Sequence, residues 1–131
     1  MQRDFILWLS PDKGANPIFK VKSNAYLGRN VYVGVFQPVE IGEFSQIGAY
    51  SYIVSGNHCY ESRDIPIMKQ GFVGASIVIE DDVWIGTHVV VLAGVTIGKG
   101  AIIAAHSLVN RNIPPYEVWG GIPARFIKNR P

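Results

Sequence analysis

The sequence predicts an all-β chain wound as a parallel β-helix, a solenoid of short strands stacked around one core. Three observations carry this. Between residues 79 and 109 a branched aliphatic recurs every six positions, at Ile79, Ile85, Val91, Ile97, Ile103 and Val109. A small or β-branched residue sits four places after each opening position, at Val83, Val89, Val95, Ala101 and Ser107. The same six-residue count recurs upstream, at Val21, Leu27 and Val33 and again at Ile41, Ile47 and Ile53. Neither a helix (period 3.6) nor an isolated strand (period 2) produces this spacing, whereas stacked repeats sharing one core do.

Composition narrows the class. At 131 residues the chain is expected to form one domain, and a 48% hydrophobic fraction with 17% charged residues excludes a disordered chain. No apolar run approaches the ~18 residues that a membrane span needs. The apolar stretch at residues 5–9 is too short for a secretion signal. A net charge of +2, without a basic helix or an aromatic-basic stripe, argues against nucleic acid as a partner. The single cysteine, Cys59, forms no internal disulfide, which suits a reducing cytoplasm.

In order along the chain, residues 1–20 lack the period and read as an N-terminal cap over the end of the solenoid, with a turn at Ser10-Pro-Asp-Lys-Gly14. Coils are expected over residues 21–56. Eight residues rather than six separate Val33 from Ile41, so the two extra residues, near Phe36, should bulge at a corner. Gly28, Gly34, Gly42 and Gly48 follow the aliphatic positions, where a tight corner favours a residue free to take positive φ. Residues 57–72 break the period and form a polar excursion loop, a feature that in compact domains tends to be functional. Coils are expected to resume at Val73 and run to residue 112. Residues 113–131, opening with Pro114 and Pro115, form a C-terminal tail across the other end. With three hexads per coil, residues eighteen apart stack at the ~4.8 Å strand spacing, placing Ile79 under Ile97, Ile85 under Ile103 and Val91 under Val109.

Two stretches carry a resemblance. The block Asp82-Val-Trp-Ile-Gly-Thr-His-Val-Val-Val-Leu-Ala-Gly-Val-Thr-Ile-Gly98 resembles the core signature of the hexapeptide-repeat acetyltransferases. The tail from Ile113 through Trp119-Gly-Gly-Ile-Pro-Ala-Arg-Phe-Ile-Lys128 resembles the ending of the same group, near the galactoside, maltose, xenobiotic and polysaccharide acetyltransferases. The resemblance covers roughly residues 21–128. It implies a left-handed coil, acetyl-CoA as co-substrate with no metal, and a cytoplasmic homotrimer with active sites between subunits. The acceptor it implies is a hydroxyl of a sugar or small glycoside, as in surface polysaccharide biosynthesis.

In that family a histidine ends a coil just before the excursion. Here it matches His58 in Ser55-Gly-Asn-His, twenty-six residues ahead of Trp84. An imidazole there suits general-base removal of the acceptor's proton. The resemblance also implies an acetyl-CoA groove at Trp84, Thr87, Ala105, Asn110, Arg111, Arg125 and Lys128. Trp84 would wall the acetyl group, with subunit packing as its competing role. Arg125 and Lys128 would hold nucleotide phosphates, with a solvated basic tail as the alternative. Galactoside-type members bind the acceptor through an N-terminal acidic residue and a coil asparagine. This N-terminus is shorter and the corresponding coil position is Gly28, so the acceptor site does not carry over.

Two rival readings come from other classes. Left-handed β-helices also host γ-class carbonic anhydrases, and His88 and His106, eighteen residues apart, should stack at equivalent corners as a candidate zinc pair. The closely spaced histidines of those enzymes are missing. The other rival is a non-catalytic trimeric β-helix module.

Overall fold

Residues 4–131 are described by the computed structural model, and among them there is no α-helix. The chain visits three faces in rotation. The first face orders β1 (Ile6–Leu9), β4 (Tyr32–Val35), β7 (Tyr52–Val54), β12 (Val90–Val91) and β15 (Leu108–Val109). The second orders β2 (Phe19–Val21), β5 (Val39–Ile41), β10 (Ile77–Ile79) and β13 (Thr96–Ile97). The third orders β3 (Tyr26–Leu27), β6 (Gln46–Ile47), β11 (Trp84–Ile85), β14 (Ile102–Ile103), β16 (Glu117–Gly121) and β17 (Ala124–Asn129). All pairings within the faces are parallel except that of β16 with β17. This is a left-handed parallel β-helix.

The eighteen-residue stacking is realised in the register, where Ile79 pairs with Ile97, Ile85 with Ile103 and Val91 with Val109. The opening residues from Leu27 and Val33 through Val109 are buried and fill the bore. Each such Val, Leu or Ile contributes roughly 1.5–3 kcal/mol by leaving water. The positions four places on form a second inward set, among them Val83, Val89 and Val95. Where that set holds serine, the hydroxyl ties neighbouring coils together. Ser45 donates to the Glu80 carbonyl at 2.6 Å and accepts from the Val83 amide at 3.0 Å. Ser51 does the same with Gly86 and Val89.

The corners correct one expectation. Positive φ falls not on Gly28, Gly42 or Gly48 but two residues later, at Asn30 (55°), Phe44 (59°) and Tyr50 (63°). These glycines answer to a different demand, the close approach of the next coil. A Cβ on Gly42 would lie 2.4 Å from the carbonyl carbon of Glu80, and one on Gly48 2.6 Å from that of Gly86. Gly34 sits at no corner; it lies inside β4.

Both ends of the solenoid carry further strands. Of the expected N-terminal cap, residues 1–3 lie outside the described residues. The rest supplies ladder strands, with β1 pairing in parallel to β4 and β2 to β5. The tail adds a rung instead of only crossing the end. Trp119 of β16 pairs with Ile103 and is buried, and β17 folds back antiparallel upon β16. Arg130 pins the tail to the corner between the second and third faces. Its Nη1 donates to Asp82 Oδ2 at 2.9 Å and to the Gly100 carbonyl at 3.0 Å.

The excursion is an arm with its own ladder. β8 (Gly56–His58) and β9 (Phe72–Gly74) pair antiparallel, matching Gly56 to Gly74 and His58 to Phe72, and a single 3₁₀ turn, Ile67–Lys69, lies near the tip. Val73 is therefore half exposed on the arm opposite Asn57 rather than a core-opening residue, and the coils resume at Ile77. Cross-strand pairing captured a valine that the six-residue count had assigned to the bore. No helix among the described residues is long and apolar enough to cross a membrane.

Candidate active site

The arm leaves the corner between the first and second faces, directly after β7. Ser55, fully buried at its root, fixes the exit. Its Oγ accepts from the amides of Phe36 and Gln37, both at 3.0 Å, and donates to the Gln37 carbonyl at 2.6 Å. The two-residue bulge expected near Phe36 is thus hydrogen-bonded to the base of the arm. On the arm, the His58 ring packs against Phe72 with centroids 4.8 Å apart. Among the described residues no side chain hydrogen-bonds that ring. Glu61 accepts instead from the Tyr60 amide at 3.0 Å.

His58 borders a cleft of about 420 Å³ laid against the outer side of the first face. Tyr32 and Tyr52, paired in register, stack at 4.9 Å with planes 8° apart and form one wall. Phe72 and Phe36 close the arm side, Trp8 of β1 stands opposite, and Asp12 sits at the rim. Burial pushes the Tyr52 phenol above its ordinary value of 10.0, with a smaller electrostatic contribution from Tyr32, so the phenol stays a neutral donor. The coil position that faces the cleft is Gly34, not Gly28, whose missing side chain points at the backbone of Ala49.

The remaining candidates lie elsewhere on the prism. Trp84 is half exposed on the third face, in register with Gln46 and Ile102. Arg125 and Lys128 lie exposed on β17 of that face. Thr87 and Ala105 occupy the corner between the third and first faces, where neither backbone amide donates a hydrogen bond among the described residues. Asn110 and Arg111 lie exposed after β15, at the arm's corner but farther toward the C-terminal end. In a three-sided prism the arm's corner is opposite the third face. One chain therefore sets His58 apart from Trp84, and Trp84 does not line the cleft.

His88 and His106 stack at the Thr87 corner, with centroids 4.9 Å apart and planes 7° apart, and Tyr50 extends the column at 5.2 Å from His88. Parallel imidazoles direct their lone pairs side by side. They do not converge on an ion ~2.0–2.1 Å from each nitrogen, as a shared zinc requires. Among the described residues no three His, Cys, Asp or Glu side chains gather as a metal site. A local bond also settles the proton on His88. The single Thr87 hydroxyl proton goes to the Ala49 carbonyl at 2.7 Å, so the 2.8 Å contact with His88 Nδ1 is donated by the ring.

Sequence reasoning missed the cleft walls. A signal existed, because Tyr32 and Tyr52 each directly precede a core-opening residue and so face outward, twenty residues apart across the bulged coil.

Comparison with known proteins agrees with this architecture. A family model described as bacterial transferase hexapeptide (six repeats) matches residues 76–111. A probable acetyltransferase of Mycobacterium tuberculosis is 36% identical over 104 residues, 79% of this chain and 35% of that protein. The galactoside O-acetyltransferase of Escherichia coli is 32% identical over 127 residues, 92% of this chain and 60% of that protein. This chain thus spans about a third of the first relative's length and somewhat over half of the second's. A hexapeptide-repeat acetyltransferase of Vibrio cholerae superposes with a TM-score of 0.71 at 32% identity, covering 85% of this chain and 70% of that one. In its complex with acetyl-CoA the TM-score is 0.73 at 33% identity, over 86% and 65% of the two chains. From the repeat register, the arm and this likeness together, the chain belongs to the hexapeptide-repeat acetyltransferase family.

Proposed function

We propose that this protein moves an acetyl group from acetyl-CoA to a hydroxyl of a sugar or small glycoside, with His58 as general base. The observation that carries the reading is His58 on an anchored arm at the edge of an aromatic cleft large enough for a sugar ring. The acetyl-CoA complex of the Vibrio cholerae relative and the name of the galactoside O-acetyltransferase support the two substrates. In the step, the neutral imidazole takes the hydroxyl proton as the acceptor oxygen attacks the thioester carbonyl. Backbone amides at a coil corner stabilise the resulting oxyanion. Collapse expels the CoA thiolate, which takes up a proton from the imidazolium, leaving the acetyl ester and restoring the base.

Acetyl-CoA would lie along the Thr87–Ala105 corner, its carbonyls taking the unpaired amides. Trp84 would stand beside the acetyl group, Asn110 and Arg111 would flank the pantetheine arm, and Arg125 and Lys128 would meet the phosphates. Because His58 and Trp84 lie on opposite sides of one prism, the site requires a second copy, and a homotrimer supplies three such sites. The reaction would draw on a cytoplasmic pool of acetyl-CoA.

The test is calorimetric titration with acetyl-CoA together with turnover of the His58→Ala variant. Saturable binding near one site per chain is expected, unchanged in the variant, with turnover lowered by ~10²–10⁴-fold. Absence of acetyl-CoA binding rejects the transferase reading, and undiminished turnover removes His58 from the chemistry.

A further inference from the structure

Resting on the acetyl-transfer reading, we propose that Phe36 and Phe72 are positioning residues for His58, fixing the imidazole at the cleft through a row of three rings. The row begins in the coil. Phe36 and Gln37 follow β4 in the lengthened interval between Val33 and Ile41, and they are held from two sides. From the root of the arm, Ser55 Oγ accepts from both amides at 3.0 Å. From the N-terminal segment, the Asn16 amide donates to the Phe36 carbonyl at 2.8 Å, and Gln37 Nε2 donates to the Gly14 carbonyl at 3.0 Å. Phe36 is buried, so its ring is a fixed platform.

The arm is cut to fit this platform. Gly56 and Gly74 face each other at its root, and His58 and Phe72 face each other two residues farther out. Residues two apart in a strand share a face, so both glycines and both rings lie on one side of the ladder. Phe36 occupies the space the glycine side chains would take. A Cβ on Gly56 would stand 2.7 Å from Phe36 Cβ, and one on Gly74 would stand 2.8 Å from Phe36 Cδ1. Neither glycine has a positive φ, so the ring is what requires them. Phe72 leans on Phe36 with centroids 6.2 Å apart and planes tilted by 44°, and His58 leans on Phe72 at 4.8 Å and 42°. Tilted, offset contacts are a preferred arrangement of aromatic pairs. His58 is exposed on the arm, and the proton transfer it serves needs its nitrogen held within hydrogen-bond reach of the acceptor hydroxyl. All three rings come from one chain, so the row is complete before a second copy docks.

The experiment uses the full chain with isotope-labelled histidine and reads the imidazole proton resonances, those of His58 being assigned through His58→Ala. Phe72→Leu keeps bulk but removes the ring, Phe72→Tyr keeps the ring, and Phe36→Leu shortens the platform. Phe72 lies half exposed, so its exchanges spare the bore. In the resting protein, Phe72→Leu and, more weakly, Phe36→Leu should move the carbon-bound ring protons of His58 toward their free-imidazole positions, as a neighbouring ring current is lost. Those of His88 and His106 should stay put, and Phe72→Tyr should leave all three in place. Turnover is followed as free CoA thiol, with acetyl-CoA and p-nitrophenyl β-galactoside as substrates. Phe72→Leu should lower kcat by about tenfold or more while the acceptor KM moves less than about twofold, and Phe72→Tyr should restore kcat. His58 resonances that stay put in either leucine variant overturn the inference. So does a loss confined to KM, which would make Phe72 a wall for the acceptor alone, or an equal loss of kcat in Phe72→Tyr. Absence of transfer by the unaltered protein strikes the acetyl-transfer reading instead, and the resonances, read without substrate, then decide the inference by themselves.

Discussion

Replacing Ser55 with alanine tests whether one buried hydroxyl holds the arm to the coil. The change removes a single oxygen from a fully buried position, yet that oxygen serves three backbone groups, the amides of Phe36 and Gln37 and the carbonyl of Gln37. The Ser55 backbone is paired independently, through its amide to the Gly34 carbonyl at 3.0 Å and its carbonyl to the Ala75 amide at 3.2 Å, so the strand exit survives. A buried group stripped of its partner costs about 1–3 kcal/mol. Phe36 is buried and carries the full penalty, whereas Gln37 is half-buried and regains part of its bonding from water. The total comes to about 3 kcal/mol, roughly two powers of ten in the folding equilibrium. Urea titration at fixed protein concentration, followed by tryptophan fluorescence, should show a lower midpoint at unchanged slope. Ser62→Ala, on the exposed arm, is the control and should move stability by less than about 0.5 kcal/mol. A loss of similar size for Ser55→Ala would refute the reasoning, because the three backbone groups would then have partners the hydroxyl does not supply.

Two further perturbations follow from the same geometry. Gly42→Ala drives a Cβ into the Glu80–Asp81 backbone and should destabilise by about 2 kcal/mol or more. Gly71→Ala, whose Cβ meets nothing but whose φ is +87°, should lose only about 1 kcal/mol; equal losses in urea would mean that coil approach is not what fixes Gly42. Tyr52 gives a pH signature. Its folded pKa is raised by burial and then by Tyr32, so above pH 10 the unfolded chain deprotonates first and the native state holds more protons. Its contribution to stability is complete below pH 10 and is lost as pH climbs through the folded value. Absorbance at 295 nm should show a late tyrosinate step that Tyr52→Phe deletes, and a step unaffected by that change would contradict the assignment.

What could be read in the sequence was whatever the repeat enforces. A six-residue count fixes which residues enter the bore, so the pairs Ile79–Ile97, Ile85–Ile103 and Val91–Val109 followed from spacing alone. The count has no authority where pairing turns antiparallel, and it failed there, assigning Val73 to the core when Phe72 and Val73 pair across the arm with His58 and Asn57. The corner glycines were expected to supply positive φ, and that reason was wrong. Backbone freedom and close approach select the same residue, and only the distance from Gly42 to the next coil separates the two causes. The first strand lies outside the six-residue count because it occupies an end position with one neighbour, so β1 stays exposed and its residues need not follow the inward pattern.

The site was legible only in part for a related reason. His58 stands out because it follows the last regular coil residue before a break, but the cleft it borders belongs to outward positions, which the repeat leaves unconstrained. Tyr32, Tyr52 and Trp8 are free to vary without disturbing the bore, and Gly34 can lack a side chain because Val33 and Val35 on either side of it are buried. The inward rows of this prism carry the stability, and the outward rows of the first face line the cleft. An exchange at half-exposed Trp8 should therefore alter the cleft with little change in folding, whereas Ser55, buried at the root of the arm, couples the two.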